Sequence, residues 1–335
     1  MTVAREPAGP ARGAQPGRAR GRHAGAPGPA VRPRPGGPPG PAGAAGRPDE
    51  ARPVGSLERV RAALAVSPLT CAGLGIIVLV ALLCFGGPLF YHWDPTHVQL
   101  ALANLPPGSG HPLGTDANGV DILGQLMAGG QISLEAGVAA GVLAAVVGSL
   151  WGAVAGYFGG AVDAIMMRIV DAAIAIPSLV LLLLLVTIYT PSAFVLVVVI
   201  AATSWLGTSR LVRAEALTLR VREYVQVVRV MGGGDVRSIL RHIAPNAAGT
   251  IAVNVTFQVA NAILTLATLS YLGLGVQPPS VDWGDIIGNG IQLIDNGYWW
   301  QIYPAGLAIV AVVVAFTMLG DGLRDTLGSS ADSRR

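Results

Sequence analysis

From Leu69 onward the chain is a succession of apolar runs, each near the ~20 residues that carry a helix across a bilayer. They cover approximately 69–91, 133–156, 164–189, 193–218, 250–272 and 303–323. Each is read as a membrane-spanning helix. The third contains Pro177, which removes one helical hydrogen bond and predicts a kink. Only Thr190-Pro191-Ser192 separates the third run from the fourth, so the two form a tight hairpin. The fourth continues past Trp205 as a more polar extension. Ahead of these runs, residues 1–60 are rich in Pro, Gly, Ala and Arg and nearly devoid of large apolar side chains. Such a segment cannot bury enough surface to offset its ordering entropy, which predicts a disordered tail. No apolar stretch follows its arginines closely enough for a signal peptide. The pattern therefore describes an all-α integral membrane protein, with a membrane domain over 61–328 and a short tail over 329–335.

Composition agrees with this reading and adds a chemical limit. Of 335 residues 52% are hydrophobic and 12% charged, against about a quarter charged in soluble domains. The chain holds no lysine at all. A P-loop needs one to reach the β- and γ-phosphates, so any ATP and magnesium must be held by another subunit and no cofactor is expected in this chain. The two cysteines, Cys71 and Cys84, share one apolar run and would lie about 20 Å apart on a helix at ~1.5 Å per residue, too far for a disulfide.

The arginines orient the helices. The connecting segments 92–132 and 273–301 contain none, whereas the N-terminal tail, the 210–241 stretch and the C-terminus are rich in them. Positive-inside logic places both termini and the 222–246 loop in the cytoplasm of a cell-membrane protein. Trp93, Trp299 and Trp300 fall at the opposite ends, where an outer aromatic belt belongs.

The cytoplasmic loop has a pattern of its own. Tyr224, Val227, Val228 and Met231 recur at i, i+3, i+4 and i+7, with Arg222, Gln226 and Arg229 on the other face. Gly232-Gly233-Gly234 ends that helix, and Asp235 caps a second one, in which Val236, Ile239, Leu240 and Ile243 repeat the spacing until Pro245. Two short amphipathic helices joined by a glycine elbow fit either a surface lying on anionic lipid or an apolar ridge that docks in a partner's groove.

This passage resembles the EAA loop of ABC-importer permeases, the element that couples a membrane subunit to its ATPase. Gly232 falls on the pattern's glycine and Pro245 on its proline, with the spacing intact. Gln226-Val227-Val228 replaces Glu-Ala-Ala, and Ala244 stands where leucine is usual, so no salt bridge from Gln226 to the ATPase is expected. "HPLGTDANGVDILGQLMAGGQISL" (111–134), "LSYLGLGVQPPSVDWGDII" (269–287) and "FTMLGDGLRDTL" (316–327) are similar to signatures of the dipeptide/oligopeptide branch, C-subunit type. The resemblance covers roughly 67–327. It implies the six-helix type I importer fold with a cytoplasmic coupling helix. It also implies a homologous second permease, two P-loop ATPases and an external binding protein as partners. Short peptides are the default cargo, with nickel chelates, glutathione or haem as alternatives. Carried onto this sequence, the ATPase contact comprises Tyr224, Gln226, Val227, Val228, Arg229, Met231, Gly232 and Pro245. Asp116 and Asp121 fall in the external segment, where they either pin turns or meet substrate and binding protein.

The fifth run supplies independent evidence. Asn254, Gln258, Asn261, Thr265 and Thr268 share one face. Amides facing lipid are costly, so this face points inward, either bonding neighbouring helices or lining a translocation path. Arg168 and Asp171 are spaced as an intrahelical pair, with Asp163 facing solvent a turn or two earlier. No catalytic constellation or zinc spacing is present, and the chain is not expected to be an enzyme. An ion-gradient transporter is the alternative class, for which inverted repeats and a midplane ionisable group would be the signatures.

Overall fold

The computed structural model describes residues 68–93, 98–108, 110–189, 192–222 and 244–332. The expected tail at 1–60 and the loop residues 223–243 lie outside these.

Nine helices order the described residues. Helix α1 (Pro68–Ala81) passes through a π-helical turn at Leu82–Gly86 into α2 (Gly87–Phe90). The long α3 (Ile122–Phe158) follows, then α4 (Gly160–Ile174) and α5 (Ser178–Ile188). After these come α6 (Ala193–Leu219), α7 (Ala244–Tyr271), α8 (Trp283–Gly290) and α9 (Tyr303–Asp332). Among the described residues, five spans are long and apolar enough to cross a membrane, and the α4–α5 pair makes a sixth if its halves are one span.

Several elements differ from the apolar runs, each for a physical reason. Helix α3 starts at Ile122 rather than near 133. Its first three turns are rich in Gly and Gln, which lowers hydropathy without breaking the helix, while Ile122, Leu126 and Met127 are buried. At ~1.5 Å per residue it is about 55 Å long, well beyond the ~30 Å hydrocarbon layer. Pro177 does more than kink: α4 stops at Ile174 and α5 leaves at 82°, because the residue before a proline is driven out of the helical region. Pro245, expected to close a loop helix, instead lies in the first turn of α7, where the missing N–H costs nothing. Helix α9 continues to Asp332, through the residues expected to begin the C-terminal tail.

Contacts fix the directions. Thr208 of α6 bonds Asn254 of α7 while Ser204 bonds Gln258, so these helices are antiparallel. A side chain at Gly137 would meet Ile263 and one at Gly141 would meet Val259, so α3 is antiparallel to α7. A side chain at Gly148 would meet Thr208 and one at Gly156 would meet Ala216, so α3 runs parallel to α6. The start of α3 and the end of α7 thus share one end of the bundle, and the end of α6 and the start of α7 lie at the other.

Two apolar clusters hold the bundle. One joins α3, α5, α6 and α7 through Leu182, Val186, Leu196, Ile200, Leu266 and Leu269. The other joins α3, α7, α8 and α9 through Leu126, Ile263, Trp283, Ile286, Ile309 and Val312.

Candidate functional site

At the end of the bundle that carries the two arginine-free segments, side chains lock both segments together. Asp121 caps α3, accepting from the Gly124 amide at 2.8 Å. Such a cap contributes about 1 kcal/mol. The other Asp121 oxygen accepts from the Tyr91 hydroxyl at 3.0 Å and lies 2.8 Å from His111 Nδ1. Burial, helped by the bond to Asp121, pushes the Tyr91 phenol up to about 12. Asp116 accepts from the amides of Asn118 and Val120, and from Gln125 Nε2, all at 2.8 Å. Both acids of the expected external site thus serve internal bonds: Asp121 is buried and Asp116 is half-buried. The second segment docks on the first through Trp300 Nε1, which donates to the Thr115 carbonyl at 3.2 Å. Gln301 Nε2 donates to Asn104 Oδ1 at 2.8 Å. Between the segments lies a cavity of about 40 Å3 lined by Asp116, Asn118, Gln125, Asn289 and Gln301. Small-molecule sites run about 300–1,000 Å3, so it is not a cargo pocket.

Helix α8, inside the second segment, was not foreseen from the sequence. Asp282 is fully buried and caps it, accepting from the Gly284 and Asp285 amides at 2.8 and 3.1 Å and from Ser270 Oγ at 2.6 Å. Trp283 fills the space beside Gly130 and donates to the Leu126 carbonyl at 2.9 Å. Asp followed by an amphipathic WGDIIGNG was the available signal. Burial, and then the charge of Asp282, pushes the Asp285 carboxyl up to about 6, against a weaker opposing bond from Asn289. The folded segment therefore keeps a proton that an unfolded chain releases near pH 4. Its stability is greatest below pH 4 and falls as pH rises through 6. Asp285→Asn is expected to slow hydrogen exchange across Trp283–Gly290 at pH 7 by about fivefold, roughly 1 kcal/mol after allowing for partial exposure. The variant and the wild type should converge at pH 4.

The polar face of α7 divides. Its N-terminal half binds α6: Asn254 Oδ1 accepts from Thr208 Oγ1 at 2.7 Å, and Gln258 Nε2 donates to the Ser204 carbonyl at 2.6 Å and to Thr208 Oγ1 at 2.8 Å. In the C-terminal half, Asn261 and Thr268 are exposed and Thr265 is half-buried. The two threonine hydroxyls donate to carbonyls four residues back on the same helix, and among the described residues no neighbouring helix bonds to them. The expected Arg168–Asp171 pair is not formed. Asp171 accepts instead from Arg210 Nη2 of α6 at 2.6 Å. Asp163, expected in solvent, is gripped through both oxygens by Arg213, with Nη2 at 2.6 Å from Oδ2. Arg220 Nη1 adds a bond to the Gly156 carbonyl at 3.3 Å.

Of the residues expected at the ATPase contact, Tyr224, Gln226, Val227, Val228, Arg229, Met231 and Gly232 lie outside the described residues. Pro245 stands on α7. The loop is flanked by α6 and α7, which the Thr208 network fastens together.

Comparison with known proteins bears on this arrangement. Residues 148–331, more than half the chain, match the binding-protein-dependent transport system inner membrane component. The chain belongs to that family. It is 39% identical over 259 residues to the oligopeptide transport system permease protein OppC of Bacillus subtilis, covering 77% of this chain and 85% of the relative. To the dipeptide transport system permease protein DppC of the same organism it is 35% identical, covering 77% and 81%. To OppC of Escherichia coli K12 it is 38% identical, covering 76% and 85%. As an inner membrane component of a binding-protein-dependent system, the chain is a multi-pass membrane permease subunit. The resemblance read from its motifs holds at that level.

Proposed function

We propose that the chain is the membrane-spanning subunit of an ATP-driven importer of short peptides. The observation that carries this reading is the match to oligopeptide and dipeptide permeases over 81–85% of their length. In this account an external binding protein delivers peptide to the arginine-free end, and a homologous permease completes the passage. Two ATPases bind ATP and magnesium, and one of them docks on the 222–246 loop. Both termini lie in the cytoplasm.

The roles follow from chemistry. The ridge of Tyr224, Val227, Val228 and Met231 enters an apolar groove on the ATPase, and Gly232 lets the chain turn behind it. Gln226 and Arg229 lie at its rim, and Pro245 restarts the helix. Closure of the ATPase pair on ATP moves this ridge. Helices α6 and α7 leave the loop joined by Asn254, Gln258 and Thr208, so they travel as a pair. Asn261, Thr265 and Thr268, without partners on neighbouring helices among the described residues, offer polar groups to the peptide backbone as the bundle shifts between two packings. Asp116 and Asp121 hold the outer segments in the shape that meets the binding protein.

The test is purification of the tagged full chain from its own host in mild detergent, with mass spectrometry of what accompanies it. The expected companions are a second permease and two P-loop ATPases in a 1:1:1:1 or 1:1:2 ratio, as the ATPases differ or match. A chain that runs alone and moves peptide in liposomes without ATP would overturn the proposal.

A further inference from the structure

Helix α4 is poorly packed for its length. Of its fifteen residues only Val170 is buried. Ile165 and Ile169 are exposed. Both of its ends are natural pivots. Gly159 precedes it at φ +64° and Gly160 opens it at +55°, a region that favours glycine, and the break before Pro177 follows it. Low contact density marks elements that detach at small cost. Among the described residues, the polar bonds that keep α4 in place are two ion pairs from α6, Arg213 to Asp163 and Arg210 to Asp171, and one long hydrogen bond, Trp151 Nε1 to the Met166 carbonyl at 3.4 Å.

The two pairs differ in character. The Arg213–Asp163 pair is two-pronged, and its carboxylate is only 13% exposed. Planar two-point pairing of this kind fixes direction as well as distance. The Arg210–Asp171 pair is half-exposed, and such a surface pair contributes little alone. The arginines sit one turn apart on the helix that leads directly into the 222–246 loop. Behind them, Gly148, Gly152 and Gly156 bring α6 against α3, so α6 has a rigid backing. The 82° bend leaves α5 packed separately, in the cluster with the outer half of α6.

We infer that Arg213 and Arg210 are positioning residues for transport: they latch α4 to the inner half of α6, so that displacement of the loop carries α4 with it about the two pivots. This rests on the importer reading above. Without the latch, α6 would move under the loop while α4 lagged, and ATP hydrolysis would proceed without the full change of access.

The experiment uses the full chain assembled with its own second permease and ATPases, with Cys71 replaced by serine and Cys84 by alanine. Spin labels at Ala164→Cys and Ala214→Cys, both exposed, report the separation of α4 and α6. Proteoliposomes report peptide taken up per ATP hydrolysed. Asp163→Asn should broaden the distance distribution and lower the uptake ratio about fivefold, the low end of coupling between sites. Exchanging the pair, Asp163→Arg with Arg213→Asp, should restore both. Asp171→Asn, at an exposed position, should give a smaller loss in the same direction. A narrow distribution and an unchanged ratio in Asp163→Asn would overturn the latch. So would a lower yield of complex whose surviving molecules keep the wild-type ratio. Wild-type uptake that ran without ATP would instead overturn the importer reading, and the distance distribution would still decide whether α4 is latched.

Discussion

Replacing Gly152 by valine is expected to cost the bundle roughly 3 kcal/mol, at the top of the range for overpacking, and to remove most folded protein from the membrane. A Cβ at Gly152 would lie 2.3 Å from the Ser209 carbonyl oxygen and 2.8 Å from the Arg213 amide. Those are backbone atoms, which cannot swing aside as a side chain would. The same holds one turn away on either side, where Gly148 would meet the Trp205 carbonyl at 2.6 Å and Gly156 the Arg213 carbonyl at 2.8 Å. Lipid tails are as apolar as the helices, so association in a bilayer depends on such close approach rather than on exclusion of water. Forcing α6 away from α3 would also pull Thr208 from Asn254 and Gln258, and Arg213 from Asp163. The check is the detergent-extracted yield and the thermal unfolding midpoint, both of which should fall. Gly207→Val on α6, the helix that α3 packs against, with nothing within 4 Å of its Cβ position, should leave both near wild type.

The second large effect concerns the loop. Val228→Asp or Met231→Asp is expected to abolish ATP hydrolysis stimulated by the loaded binding protein, and peptide uptake with it, while the chain still reaches the membrane. Val228 and Met231 share the apolar face with Tyr224 and Val227 by helical spacing. A carboxylate carried into an apolar groove without a partner costs several kcal/mol, and about 3 kcal/mol is already a hundredfold or more in affinity. Arg229→Asp, on the opposite face, should weaken stimulation far less. Stimulated hydrolysis that survived both ridge variants would contradict docking through this face.

Much of the architecture could be read from the residues, and the gaps have identifiable causes. Apolar runs of bilayer length are a strong signal, and each helix of the described residues long and apolar enough to cross a membrane overlaps one of them. Hydropathy does not see where a helix continues beyond the lipid, which is why the first turns of α3, held by buried Ile122 and Met127, and α8, built around Trp283, were missed. Pro177 announced a disturbance, but the size of the bend depends on how α5 packs in the cluster around Leu182 and Leu196. Arg168 and Asp171 have the spacing of an intrahelical pair, yet Arg210, 39 positions further along, takes the carboxylate. Sequence spacing cannot disclose a partner on another helix. The polar face of α7 was legible as a period, whereas its division into an α6-binding half and a C-terminal half was not. The glycines at four-residue intervals in α3 were a readable sign of close helix contact that hydropathy reasoning passed over. The family match bears out the resemblance read from the motifs as a whole.

The most direct test of the account is peptide uptake by proteoliposomes holding the complete complex and binding protein, with ATP either supplied or withheld on the ATPase side. Uptake that requires ATP hydrolysis and persists after every ion gradient has been collapsed is the predicted result. Uptake that continues without ATP and stops when the gradient is dissipated would contradict it and assign the chain to the secondary transporters.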